Sequence, residues 1–294
     1  MLVAATVLVR FARGRIEAGE LRSLRLRVRS WWIIGVLFAV GILGGRVTVV
    51  VFFAFVSFLA LKEYLTVIPT RRADRTLLFF CYLAIPGQYA WVAGTWYGMF
   101  IIFIPVYMFL FLPIEMVIAG ETRGFLRAAG TLHWGLMSTV FGVSHAAYLF
   151  MLPVSGSRAA GAGLVLYLIL LTEFNDVFQY LWGKSVGKRR IVPSVSPNKT
   201  WGGFVGGVAT TVLVATVVAP FLTPMGHGGG AASGAIIGVA GFFGDVVMSS
   251  LKRDLGIKDT SEYIPGHGGV LDRIDSLTYT APLFFHFIRY FYFH

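Results

Sequence analysis

Long apolar runs, broken by short polar segments rich in arginine, set the rhythm of this 294-residue chain. A helix needs about 20 apolar residues to cross the hydrocarbon core of a bilayer. Runs of near-spanning length fall near 31–45, 47–67, 76–94, 97–118, 132–152, 161–182, 202–222, 231–250 and 277–293. They predict about nine transmembrane helices in an all-α, polytopic integral membrane protein, because a helix satisfies its own backbone in lipid. The first run is short and meets the second at Gly44-Gly45-Arg46, so that pair reads either as two spans or as a re-entrant hairpin. By pattern the chain divides into a basic N-terminal segment (1–30), a first set of spans (31–152) and a C-terminal set (153–294).

Composition agrees with this reading. Hydrophobic residues make up 56% of the chain and charged residues 13%, with a mean hydropathy of +0.75. A soluble domain carries about 25% charged residues. The one cysteine, Cys81, lies in an apolar run and reads as a buried, inert thiol. The first apolar stretch is followed, not preceded, by arginines, unlike a cleaved signal peptide.

The formal net charge of +11 is informative loop by loop. With the N-terminus in the cytoplasm, one side collects the arginines of 10–29, Arg71, Arg72, Arg75, Arg123 and Arg127. It then gains Lys184, Lys188, Arg189, Arg190, Lys199, Lys252, Arg253, Lys258 and Arg273. The other side keeps little more than Arg46 and Arg158. This asymmetry follows the positive-inside rule and puts the polar segments of interest on the cytoplasmic side. The stretch 10–29 reads equally as an amphipathic helix on anionic lipid or as a solvated basic tail. No nucleic-acid-binding motif accompanies the charge.

Gly202/Gly206, Gly203/Gly207 and Gly230/Gly234/Gly238 repeat at intervals of four. That spacing lets helices approach closely. It also leaves room for a homodimer. Glu115, His133, His145 and His286 are isolated in apolar runs and read as helix–helix hydrogen bonds or interface residues.

The segment Gly244–Ser276 departs most from the apolar background. Charged side chains near membrane depth are costly and point to function. Asp245, Ser249 and Arg253 fall on one helical face at the end of the eighth run, with Lys252 beside them. Asp272 and Asp275 form a second acidic pair before the ninth run. Two such patches suit one or two hard cations, while the bland alternative pairs Asp245 with Arg253 and Asp272 with Arg273. Between them, Ile264-Pro265-Gly266-His267-Gly268-Gly269 reads as a rigid loop whose amides approach a phosphate. His267 is placed to donate to a phosphate oxygen. Ser196-Pro197-Asn198-Lys199-Thr200 puts donors and a cation at a helix start, a favourable place for an anion.

These motifs carry a family resemblance. Ser249, Lys252-Arg253, Lys258-Asp259, Pro265, His267-Gly268-Gly269, Asp272-Arg273 and Asp275 resemble the signature of the CDP-diacylglycerol synthases, or phosphatidate cytidylyltransferases. The segment 196–200 resembles that family's second short motif. Asp176, Tyr180 and Gly183-Lys184 fit a further outline, but Val177-Phe178-Gln179 replaces the usual small polar run, as in a divergent member.

The resemblance implies transfer of a cytidylyl group from CTP to phosphatidic acid, giving CDP-diacylglycerol and pyrophosphate. It further implies a Mg²⁺ centre, with room for a second cation, in a bacterial inner membrane with the site facing the cytoplasm. On this reading Asp245, Asp272 and Asp275 hold the metal, with Ser249 and Asp176 supporting. Lys199, Lys252, Arg253, Lys258 and Arg273 neutralise the triphosphate, and Ser196, Asn198, Thr200, Asp259, His267, Gly268 and Gly269 order or contact it. Two alternatives stay open. A CTP-dependent lipid-alcohol kinase would release CDP. A cation transporter predicts inverted repeats, and the sequence contains none that we find.

Overall fold

The computed structural model describes Thr6 and residues 18–70, 75–120, 123–153, 160–261, 263–264 and 268–293. Among these residues the chain is a helical bundle. α1 is Ala18–Leu43, α2 Arg46–Val67, α3 Arg75–Ala93 and α4 Tyr97–Ile118. α5 covers 125–151, α6 is Ala160–Val186, α7 Trp201–Leu222, α8 His227–Asp254 and α9 Leu277–Tyr292. Seven of these helices are long and apolar enough to cross a membrane, the exceptions being α5 and α9. With 16 residues, α9 is about 24 Å long at 1.5 Å per residue.

The first predicted span changes most. The apolar run began at residue 31, yet the helix starts at Ala18 and is 26 residues long. Arg25, Arg27 and Arg29 lie in its N-terminal half, and Leu24–Leu43 within it is long and apolar enough to cross. Two helices open into π turns, Phe103–Met108 in α4 and Met137–Gly142 in α5. Pro105 lies within the first, where it cannot donate a backbone hydrogen bond.

Outward faces carry large apolar side chains: Val47, Val51 and Phe55 on α2, and Leu213, Val217 and Phe221 on α7. Solvated monomers rarely expose such continuous apolar area; here it meets lipid. Inside, α6, α7 and α8 pack together, α9 lies against α8 and α5, and α2 packs on α3 and α5. The glycine repeats explain the closeness. A Cβ on Gly203 would fall 2.7 Å from the Gln179 carbonyl of α6, and one on Gly230 would fall 2.8 Å from the Ala215 carbonyl of α7.

This packing brings four helix ends together. α6 and α8 finish, and α7 and α9 begin, at the same end of the bundle. The loops joining them close over that end and carry the conspicuous polar motifs.

Candidate active site

A cleft of about 360 Å³ opens between these helix ends. α6 contributes Asp176, Gln179 and Tyr180 to its wall, and α8 contributes Asp245 and Lys252. The loop before α7 supplies Ser196, Asn198, Lys199 and Thr200; the segment before α9 supplies Asp259, Asp272, Arg273 and Asp275. The two signature segments, distant in sequence, therefore line one cleft.

Local structure fixes each contributor. Arg190 and Thr200 form an antiparallel bridge, backed by Ile191 N–H donating to the Lys199 carbonyl and Trp201 N–H to the Arg189 carbonyl. This closes the loop before α7 into a hairpin. Thr200 then caps α7, its hydroxyl accepting from Gly203 N–H at 3.2 Å. Lys199 is thereby aimed inward. Its Nζ lies 2.7 Å from Asp245 Oδ2, 3.2 Å from Gln179 Oε1 and 5.4 Å above the Phe242 ring.

On α8 the predicted face divides. Ser249 donates to Asp245 Oδ1 at 3.2 Å. Lys252 reaches across the cleft to Asp272 Oδ1 at 2.7 Å. Arg253 turns away instead, donating to the Val195 and Ile257 carbonyls, where it ties the two loops together. The local pairs Asp245–Arg253 and Asp272–Arg273 give way to the long-range pairs Lys199–Asp245 and Lys252–Asp272.

Asp272, expected as a metal ligand, is surrounded by hydrogen-bond donors in the free protein. Lys252 occupies Oδ1, while Thr260 N–H, Thr260 Oγ1–H and Gly269 N–H converge on Oδ2 at 2.9 to 3.0 Å. Burial alone would raise this carboxyl, but the Lys252 ammonium and the two amides outweigh it and hold it below the usual carboxylate range. Four donors leave little of the carboxylate for a cation. The neighbouring glycine has its own reason: Gly268 has φ +79°, and a Cβ there would fall 2.9 Å from Asp272 Oδ2.

The other carboxylates are differently placed. Asp176 accepts from Ser276 Oγ through Oδ2, and its buried Oδ1 has no partner. Asp275 accepts from Ser276 N–H. Burial, then the Asp245 and Asp176 carboxylates, push the Asp275 carboxyl up to about 8. Among the described residues no three acidic, His or Cys side chains already stand in ligating geometry. The orphaned oxygen and the mutual repulsion of Asp176, Asp245 and Asp275 nevertheless fit a hard divalent cation, which prefers oxygen ligands.

The remaining predicted residues separate cleanly. Asp259 and Arg273 are exposed and line the cleft. Lys258 is exposed and does not line it. His267 lies outside the described residues. Glu173 stands on α6 behind Asp176.

Two residues escaped the sequence reading. Gln179 is buried and holds Lys199; its place three residues after Asp176 puts both on one helical face. Glu63, the only acidic residue of α2, is fully buried against the loop before α9. An acid inside an apolar run was the available signal.

Known proteins share the pattern. Residues 25–291 match the cytidylyltransferase family. The chain is 46% identical over 290 residues to an uncharacterized protein of Escherichia coli K12, YnbB, covering 99% of this chain and 95% of that one. It is 43% identical over 138 residues to a phosphatidate cytidylyltransferase of Haemophilus influenzae, covering 45% of this chain and 46% of that protein. A phosphatidate cytidylyltransferase of Staphylococcus aureus is 28% identical over 268 residues, 88% of this chain and 97% of its own. With the match running through nearly the whole bundle and both cleft motifs, this chain belongs to the cytidylyltransferase family and is an integral-membrane nucleotidyltransferase.

Proposed function

We propose that the protein is a phosphatidate cytidylyltransferase, converting CTP and phosphatidic acid to CDP-diacylglycerol and pyrophosphate. The observation that carries this reading is the cleft itself. It joins Lys199, Lys252 and Arg273 to a set of partly unsatisfied carboxylates at a bundle end, where water-borne nucleotide and membrane lipid can meet. The relatives named for this reaction support the choice of acceptor.

An oxygen of the lipid phosphate attacks the α-phosphorus of CTP, and the bond to the bridging oxygen breaks to release pyrophosphate. The nucleophile is already ionised, so no general base is needed. Positioning and charge neutralisation carry the catalysis. Asp176, Asp245 and Asp275 would hold Mg²⁺, which when bound supplies positive charge against the triphosphate. Lys199 would exchange its carboxylate partner for phosphate oxygens, and Lys252, whose ammonium has three protons, would donate to phosphate while staying on Asp272. Arg273, exposed at the rim, would meet the leaving pyrophosphate. Asp272 keeps Lys252 in place rather than joining the metal set. The arginines at the start of α1, with Arg75, Arg127 and the basic residues of 184–190, favour a cytoplasmic orientation for this end in a bacterial inner membrane.

Purified protein given phosphatidic acid, Mg²⁺ and CTP labelled at the α-phosphate should move label into lipid and release pyrophosphate. Label that moves only from the γ-phosphate, with CDP released, would replace this reading with a lipid kinase.

A further inference from the structure

We propose that Glu63 is a positioning residue for nucleotidyl transfer, reaching from α2 to hold the loop that aims Asp272 and Lys252; this rests on the cleft being the reaction site. The geometry is specific. Glu63 is fully buried. Its Oε1 accepts from Val270 N–H at 2.9 Å and from the Ser261 hydroxyl. Its Oε2 accepts from Leu271 N–H at 2.7 Å. Thr260 Oγ1 stands 3.4 Å from Oε2 and 2.9 Å from Asp272 Oδ2, so its single proton goes to Asp272. Thr260 therefore sits between the two carboxylates, touching both.

Amide N–H groups only donate, so Val270 and Leu271 require an acceptor at this point. They are also the two residues directly before Asp272. Fixing their amides fixes the short 3-10 turn Leu271–Arg273 that presents Asp272 to Lys252. The fit explains Gly269 as well. A Cβ on it would collide with Thr260 Oγ1 and lie 2.6 Å from Glu63 Oε2. Any larger residue would push the loop off its anchor. A conspicuous glycine of the signature is thus explained by a carboxylate more than 200 residues earlier in the chain, and α2 becomes part of the site's support.

Glu63→Gln keeps the shape but turns an NH₂ toward a donor, leaving one buried amide without an acceptor. In the full-length protein, we expect kcat to fall about 10- to 100-fold, KM for phosphatidate to stay within about twofold, and Glu63→Asp to recover part of the rate. Thr260→Val, which removes the hydroxyl that donates to Asp272, should lower kcat on its own. If both act through Asp272, the double variant should be no slower than the slower single variant. Hydrogen exchange supplies a readout without activity: amides of 268–273 should exchange faster in Glu63→Gln while those of α6 and α7 stay unchanged.

Wild-type kcat in Glu63→Gln would overturn the proposal. So would rate losses that multiply in the double variant, or faster exchange spread over the whole bundle. If the wild-type protein moves no label to phosphatidate, the acceptor reading fails, and the exchange pattern alone decides for or against the Glu63 anchor.

Discussion

The two sides of the cleft treat their acids in opposite ways. On the side facing α2, Asp272 and Glu63 are saturated with donors: an ammonium, backbone amides and hydroxyls. On the side facing α6, Asp176, Asp245 and Asp275 share one lysine and two serines, Ser249 and Ser276, and one buried oxygen has no partner. Burying a charge without partners is costly. The saturated side therefore reads as architecture that sets the loop. The deficient side reads as the place where a cation and a nucleotide complete the structure. On the proposed reading, the count of satisfied oxygens separates residues that hold the site from residues that use it.

The sharpest way to break this contrast is to neutralise one acid on each side. Asp275→Asn should lower kcat by about 10²–10³-fold, the loss typical of removing one preorganised electrostatic group. Metal-free protein should meanwhile keep or raise its Tm. Asp272→Asn should also lose activity, but with destabilisation. The Asn amide keeps one acceptor oxygen and turns an NH₂ toward a donor, so either Lys252 or the Thr260 and Gly269 N–H groups lose their acceptor, at a cost of about 1–3 kcal/mol. Parallel rate assays and thermal melts of both variants check this. An unstable Asp275→Asn, or a fully stable Asp272→Asn, would reverse the assignment.

Proton linkage gives the next effect. The Asp275 carboxyl is held up to about 8 in the free protein. Between the ordinary carboxylate range and pH 8, the folded state therefore keeps a proton that the unfolded state has lost. Stability should fall as pH rises through that window, by at most about 1.4 kcal/mol per pH unit. Asp275→Asn should flatten the slope, and saturating Mg²⁺ should do the same for the wild type. Melts at stepwise pH with and without Mg²⁺ measure this; identical slopes in all three samples would remove the carboxylate cluster as their cause. The smallest effect belongs to Arg253, which ties loops from outside the cleft. Arg253→Gln should slow turnover by less than about tenfold, since neutral replacement still donates to a carbonyl. A loss as large as that of Asp275→Asn would place Arg253 on phosphate.

Much of this was legible in the sequence. Apolar runs marked the spans because lipid imposes one length and one composition. The alignment of Asp245 and Ser249 followed from helical spacing, and the shared cleft of the two signature segments followed from the family resemblance. Partner choice was not legible. Lys199 meets Asp245, and Lys252 meets Asp272, only because α6, α7 and α8 pack through glycines and bring separate helix ends together. The bland alternative to a metal site pairs each acid with the nearer arginine, Asp245 with Arg253 and Asp272 with Arg273. Asp272 and Asp275 look alike in a sequence, and only the donors around each distinguish them. Glu63 was hidden for a similar reason: its partners lie on the far side of the chain, and one acid in an apolar span does not name them.

A structure of the protein with Mn²⁺ and CTP, with the metal located by its anomalous signal, tests the account most directly. It should place the metal among Asp176, Asp245 and Asp275, with the triphosphate against Lys199 and Lys252, and Asp272 still bound to Thr260 and Gly269. Metal on Asp272, or CTP outside this cleft, would contradict the division of labour argued from the free protein.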